Sequence, residues 1–360
     1  MTFLIPSLKK LEKEFEKAST IITEACLKGR PIIIRHHHDT DGLCAGYALE
    51  RAVLGIVDDK RSVFRSSCRA PYYSLGDAMR DLQMIRRDAH RQPVLVIMDT
   101  GSSDENSVAI NLMKEIGCKV IVVDHHPLMK DSADVMINST VIADDGRITG
   151  GMLGEELARV VNPNIHNISH LAALSGVADH VEGPELEKYL ELAEKKGWTR
   201  EKLHDLYLAI DFMMFERSES SVLIRELMQG TKQAALIKIL APKAKSLRKQ
   251  RLEAIQKVAV QNGNVLIVEM DDALDPRTYP APGRSIGLLY QQDKSKIIFG
   301  FGRNSVVIRG KMPKPIKDIV KELQNEFSGI EGGGHSVAGS IRFPQKEKNL
   351  IKEKLLEMVK

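Results

Sequence analysis

The chain has 360 residues, 28% charged and 43% hydrophobic, with a formal net charge of +4. This is room for two or three domains and a sizeable core, in a composition ordinary for a globular protein and too mildly basic to demonstrate a nucleic-acid partner by itself. No apolar run approaches the roughly 20 residues of a membrane span and the amino terminus lacks a signal-peptide core, so no membrane partner and a cytoplasmic location are expected.

In chain order, Pro6 to Lys28 reads as an amphipathic helix, with Leu8, Leu11, Phe15, Ile22 and Ala25 near helical spacing and Gly29 able to end it. Ile32, Ile33 and Ile34 form a short apolar run, the pattern of a strand buried on both faces of a parallel sheet. It empties into His36, His37, His38, Asp39 and Asp41, and Gly42 lets the chain bend into a helix reaching about Val57. Ser66 to Tyr73 reads as a loop whose Arg69 and two tyrosines either pack or hold a base or phosphate. Pro93 to Met98 is a second apolar run ending on Asp99, after which Ser102 or Ser103 can cap a helix to Gly117. Lys119 to Val123 is a third, ending on Asp124, His125 and His126. Ligands of an open α/β sheet bind outside the carboxyl ends of its parallel strands, so these three polar ends should converge.

A short strand near Val135 to Asn138 follows, then a polar turn in which Asp144 and Asp145 need no metal role. Gly150 and Gly151 precede a helix to Val161, expected to have an exposed amino end that is a plain helix start or a phosphate contact. A helix over His166 to Ala178 delivers Asp179 and His180, while His166, His170 and His180 lack partners for a separate zinc site. Cys26, Cys44, Cys68 and Cys118 form no CxxC pair, which argues against disulfides and a thiolate zinc site. Pro184 to Leu240 is helical and charged, anchored by Trp198 and the Phe212 to Phe215 run. Lys243, Lys245, Arg248, Lys249, Arg251 and Lys257 lie on a connector helix, either solvated or tracking phosphates. The last hundred residues suggest an α/β domain with strands over Asn264 to Val268 and Ile297 to Phe301, and helices over Ile316 to Phe327 and Lys346 to Val359. Within it lie GFGRNS and GGGHSVAGSIRF, where consecutive glycines let backbone N–H groups approach an anion.

The series HHDTDG at His37 to Gly42, Asp99, DHH at Asp124 to His126, GVADH around Asp179 and GGGH at Gly332 to His335 resembles the motifs of the DHH phosphoesterase superfamily and its associated C-terminal domain. The resemblance spans most of the chain apart from its helical middle. It implies an α/β fold: an N-terminal parallel-sheet DHH domain over 1–183, a helical insertion and connector over 184–262, and a smaller C-terminal substrate-binding α/β domain over 263–360. It also implies two Mn²⁺ ions, with Mg²⁺ as the alternative. One would be held by His37, Asp39 and Asp99, the other by Asp41, Asp99, His125 and Asp179. An oxygen-rich set with a few imidazoles suits those metals. His126 would contact the phosphate, with Asp124 orienting; Arg303, Asn304, Gly333, Gly334 and His335 would anchor substrate.

The RecJ-like branch, particularly the archaeal RecJ-like nucleases associated with replication and repair proteins, is the nearest resemblance. His37 satisfies its HxDxDG pattern. Arg35 stands where many superfamily members have their first histidine, and His36 and His38 leave the register open. The implied function is a metal-dependent exonuclease specific for single-stranded DNA or RNA, with a replication or repair partner. The alternatives are an oligoribonuclease or cyclic-dinucleotide phosphodiesterase, and a catalytically silent replication scaffold. Scaffolds of this descent lose metal ligands, whereas every one is present here.

Overall fold

The structure, a computed structural model, describes residues 2–85, 91–142, 146–216, 221–335 and 337–359; Asp144 and Asp145 lie outside them. The chain divides into two compact units, Met1–Tyr207 and Leu208–Lys360. Among the described residues no helix is long and apolar enough to cross a membrane.

Unit 1 is built on a five-stranded parallel sheet: β1 (Ile32–His36), β2 (Val63–Ser67), β3 (Val94–Met98), β4 (Lys119–Asp124) and β5 (Val135–Asn138), in the order β2-β1-β3-β4-β5. Every residue of β1 and β3 is buried, and so are five of the six in β4. Side chains alternate between the two faces. Ile33, Leu95, Ile97, Val120 and Val122 share one core with α3 (Leu75–Ile85) and α4 (Ser107–Glu115). The opposite face is covered by α1 (Glu12–Leu27), α2 (Thr40–Leu54) and α5 (Gly150–Val161), with α6 (Ser169–Ala178) packed on α2 and α5 and α7 (Pro184–Glu194) on α6. The first predicted helix is a 3-10 turn over Pro6–Leu11 running into α1. The serine-capped helix instead starts at Ser107, after a 3-10 turn at whose head the Ser103 side chain makes no capping bond.

The stretch before β3 departs most from the sequence reading. β2 is an edge strand, half-buried throughout, so its sequence VFRSS carries no apolar run to announce it. In α3 the usual pattern is inverted. Asp77 and Asp81 are buried while Leu75 and Met79 are exposed. Asp81 accepts from Arg35 Nε at 2.9 and 3.1 Å and from the Tyr73 hydroxyl at 2.8 Å, and Arg35 Nη1 donates to Ser66 Oγ at 2.5 Å. Arg35 thus ties β1, β2 and α3 together. Tyr73 is fully buried in this network and is not available to stack on a base.

In unit 2, α8 (Arg200–Phe215), which crosses the boundary, and α9 (Ser221–Gln229) lead into the 26-residue α10 (Gln233–Val258). Arg251, read from the sequence as part of a basic face, is buried. Its guanidinium donates to the carbonyls of Asp275, Thr278 and Pro280 at 2.5, 2.6 and 3.3 Å, so it serves a loop and no phosphate. A six-stranded sheet follows, in the order β10-β11-β9-β8-β7-β6, comprising β6 (Val260–Asn262), β7 (Val265–Glu269), β8 (Ile297–Phe301), β9 (Ser305–Arg309), β10 (Glu331–His335) and β11 (Ala338–Arg342). Its helices are α11 (Met270–Ala273), α12 (Pro282–Gln292), α13 (Ile316–Glu326) and α14 (Lys348–Glu357). Phe299, Phe301, Val306 and Ile308 pack with α13 and α14; Val268 and Ile298 pack with α10 and α12.

Removing one partner of a buried pair leaves an uncompensated charge. Asp81→Ala should therefore cost about 3–5 kcal/mol in urea unfolding, against about 1–2 kcal/mol for Tyr73→Phe, which removes one hydrogen bond.

Candidate metal centre

In the order 2-1-3-4-5 the chain reverses direction across the sheet between β1 and β3, and the crevice at their carboxyl ends is where such a sheet binds ligands. Asp39 and Asp41 follow β1, and Asp99 follows β3. Asp39 caps α2, Oδ1 accepting the Gly42 N–H at 2.9 Å, which turns Oδ2 to within 2.8 Å of His37 Nδ1. Asp99 has left-handed backbone (φ 59°), a conformation costing about 1–3 kcal/mol that is held by its N–H bond to the Val123 carbonyl at 2.8 Å.

His125, after β4, places Nε2 3.1 Å from Asp99 Oδ1, 3.5 Å from Asp41 Oδ2 and 3.8 Å from Asp179 Oδ2. His37 Nδ1 lies 3.5 Å from Asp99 Oδ2. Three overlapping groups offer donor atoms within 4.8 Å of one another: His37, Asp39, Asp99; Asp41, His125, Asp179; and Asp99, His125, His126. The six residues that the motifs implied as ligands are thus brought together.

The three consecutive histidines part company. His36 is buried with Nδ1 2.8 Å from the His37 carbonyl and Nε2 3.1 Å from Arg65 Nη1; burial and the Arg65 charge hold its pKa down to about 3. His38 Nδ1 lies 2.9 Å from Ser67 Oγ. Of the three, His37 is the one grouped with Asp39 and Asp99 as a candidate metal ligand.

Burial, then the charges of Asp41 and neighbouring carboxylates, push Asp99 and Asp179 well above the usual carboxylate range. Asp99 Oδ1 and His37 Nδ1 are buried and approached within the cluster, by His125 Nε2 and Asp39 Oδ2, without well-directed hydrogen bonds. Crowded carboxylates, imidazoles and donor atoms without directed hydrogen bonds fit divalent cations.

Asp41 reveals a support that the sequence reading missed. The amino end of α5 is not exposed: Gly150 and Gly151 are buried, and their N–H groups donate to Asp41 Oδ2 and Oδ1 at 2.8 and 2.7 Å. The helix dipole therefore meets a carboxylate of this chain and not a phosphate. A Cβ on Gly150 would lie 2.7 Å from Asp99 Cβ, and one on Gly151 2.4 Å from Ser175 Cβ. The Gly-Gly pair is the signal that could have found this contact.

Asp124 Oδ1 lies 2.8 Å from His126 Nδ1 and accepts the N–H groups of His125 and His126 at 2.8 and 3.2 Å; Oδ2 accepts that of Ser102 at 3.0 Å. Burial would raise its pKa, but His126 and these donors hold it far below the usual range. The His126 side chain is 37% exposed. Arg69 is exposed on the loop after β2, which is tethered beside the site by Cys68 N–H to the His36 carbonyl (2.8 Å) and the Thr100 hydroxyl to that of Pro71 (3.3 Å).

Unit 2 does not gather its expected substrate residues. The GGGH segment is the edge strand β10, whose His335 is opposite Ala338, in turn opposite Arg309; the His335 side chain lies outside what the structure describes. Arg303 and Asn304 occupy the β8–β9 hairpin, next to Ser305, which pairs with Arg342 and through it with Glu331. They therefore lie at the far end of the sheet from His335, four residues or about 13 Å along the strands. Arg309, absent from the sequence reading, is the arginine in register with His335.

The model of the DHH family N-terminal domain matches residues 31–210. The chain belongs to the DHH family. An uncharacterized protein of Methanocaldococcus jannaschii, MJ1198, is 31% identical over 99% of this chain. The chain spans about half, 55%, of that relative's length. Among solved structures, the DHH domain of a member of the S1p family of ribosomal proteins is 29% identical, with a TM-score of 0.91 over 99% of this chain and 93% of that one. RecJ of Thermus thermophilus, in complex with Mn²⁺, is 17% identical with a TM-score of 0.72, over 95% of this chain and 54% of that one, a likeness of fold.

A methyl at Gly150 must displace Asp99 or α5. Gly150→Ala should weaken Mn²⁺ binding about 10–100-fold in a calorimetric titration, as loss of ligand support typically does, while circular dichroism shows the fold retained.

Proposed function

We propose that this DHH-family chain is a metal-dependent phosphoesterase, acting as an exonuclease on single-stranded DNA or RNA in replication or repair, in the cytoplasm. The observation that carries the reading is the convergence of His37, Asp39, Asp41, Asp99, His125 and Asp179 at the switch point of the sheet. His37, Asp39 and Asp99 would hold one Mn²⁺, and Asp41, Asp99, His125 and Asp179 the other, with Mg²⁺ able to substitute and Asp99 shared. A pair of such ions supplies activation of water and neutralisation of charge on the scissile phosphate.

The chain's own groups do the rest. Asp124 stays ionised and fixes the His126 ring through Nδ1, so that the opposite nitrogen is presented to a phosphate oxygen. The N–H groups of Gly150 and Gly151 hold the Asp41 carboxylate in its orientation. Arg69, exposed on its tethered loop, would meet a further phosphate. In this reading residues 1–183 are the catalytic domain, 184–262 the helical insertion and connector, and 263–360 the substrate-binding domain. There Gly333, Gly334, His335 and Arg309 would hold the strand end, with Arg303 and Asn304 further along the same sheet.

The test is Mn²⁺-dependent hydrolysis of single-stranded DNA and RNA labelled at either end, in a range of lengths. Stepwise release of mononucleotides from long strands is expected, with a loss of at least about a hundredfold in Asp99→Ala, whose fold should persist. Activity confined to oligonucleotides of about two to five residues would instead make this a small-substrate phosphodiesterase. Absence of hydrolysis with any divalent metal would make it a scaffold.

A further inference from the structure

Asp41 receives more than the two glycine N–H groups. Ser175, within α6, donates its hydroxyl to Asp41 Oδ1, and the Thr149 hydroxyl meets the Ser175 oxygen. The direction of the protons follows. Because the Ser175 proton lies toward the carboxylate, Thr149 must donate to Ser175, and Thr149 Oγ1 in turn accepts the Met152 N–H at 3.3 Å. A one-way chain of hydroxyls thus runs from the cap of α5 through α6 to Asp41 in the first turn of α2. Thr149, Ser175 and Asp41 are all buried, so water does not compete for these bonds.

The chain decides what Asp41 has left to offer. A carboxylate has about four lone-pair sites, two on each oxygen. On Oδ1 both are taken, by the Gly151 N–H at 2.7 Å and by the Ser175 hydroxyl. On Oδ2 one is taken, by the Gly150 N–H at 2.8 Å. The remaining site is therefore on Oδ2, the oxygen that stands 3.5 Å from His125 Nε2. Asp99 is used differently, with Oδ1 3.1 Å from His125 Nε2 and Oδ2 3.5 Å from His37 Nδ1, one oxygen toward each group of ligands. Ser175 also meets a second residue of the His125 group, its carbonyl accepting the Asp179 N–H at 3.0 Å.

We propose that Ser175 and Thr149 are positioning residues of the metal centre: their hydroxyl chain closes Oδ1 and makes Asp41 a one-oxygen ligand, through Oδ2, to the ion it shares with His125 and Asp179. The proposal rests on the two-metal reading above. The ion at His37, Asp39 and Asp99 does not depend on the chain.

The test is a calorimetric titration of the metal-free full chain with Mn²⁺, read alongside its electron paramagnetic resonance. Ser175→Ala should weaken one of the two ions about 10–100-fold, as loss of a hydrogen bond to a ligand does, and leave the other within about threefold. The exchange-coupled signal should then require correspondingly more Mn²⁺. Thr149→Val should act in the same direction and by less, whereas Thr149→Ser, which keeps the hydroxyl, should bind both ions as the parent does. Ser19→Ala removes a hydroxyl bond to the far end of α5, the Val160 carbonyl at 3.3 Å, and should change neither ion. A folded Ser175→Ala that binds both ions like its parent overturns the positioning role alone, and so does an equal loss of both ions, which marks a loosened fold. If Ser175→Ala does not fold, the Thr149 pair decides, and equal Mn²⁺ affinities in Thr149→Val and Thr149→Ser overturn the proposal. A parent that binds fewer than two ions overturns it together with the two-metal reading.

Discussion

Four carboxylates held against one another at the end of a parallel sheet are the constraint around which unit 1 is arranged. Burial and the repulsion of like charges in this crevice together push Asp99 and Asp179 well above the usual carboxylate range. The fold offsets part of that repulsion with dipoles. The amino end of α5 meets Asp41, the first turn of α2 meets Asp39, and His37 and His125 lie between the carboxylates. What these neutral or singly charged groups leave uncompensated is charge suited to divalent cations.

The supports reach outward from there. Arg35 stands where the superfamily resemblance leads to the expectation of a histidine, and its guanidinium goes to Asp81 and Ser66. It thereby fixes β2 and α3, and with them the loop bearing Arg69. Asp124 works similarly on the other side, accepting three backbone N–H groups while holding the His126 ring. Both are charged residues used to orient their neighbours.

The sequence made legible those elements whose environment is uniform. β1, β3 and β4 are buried on both faces and show as apolar runs, and the polar residues ending them fall together because parallel strands share a carboxyl edge. β2 and α3 were not legible, because an edge strand carries no such run and because α3 buries two aspartates against partners distant in sequence. The choice among His36, His37 and His38 turned on ring direction, set by Arg65 and Ser67 of the neighbouring strand. Likewise, Arg303 precedes GGGH in sequence, but only strand register shows that Arg309 accompanies it. Motifs located the residues; pairing partners far along the chain decided which side chains face one another.

The central claim, a shared two-metal centre at the β1–β3 switch point, is tested most directly by titrating the metal-free full chain with Mn²⁺ under calorimetry and electron paramagnetic resonance. The account requires two ions per chain with an exchange-coupled signal, because ions sharing Asp99 would sit about 4 Å apart; Asp99→Asn should abolish the coupling. Binding of a single isolated ion, or no saturable binding, would contradict it.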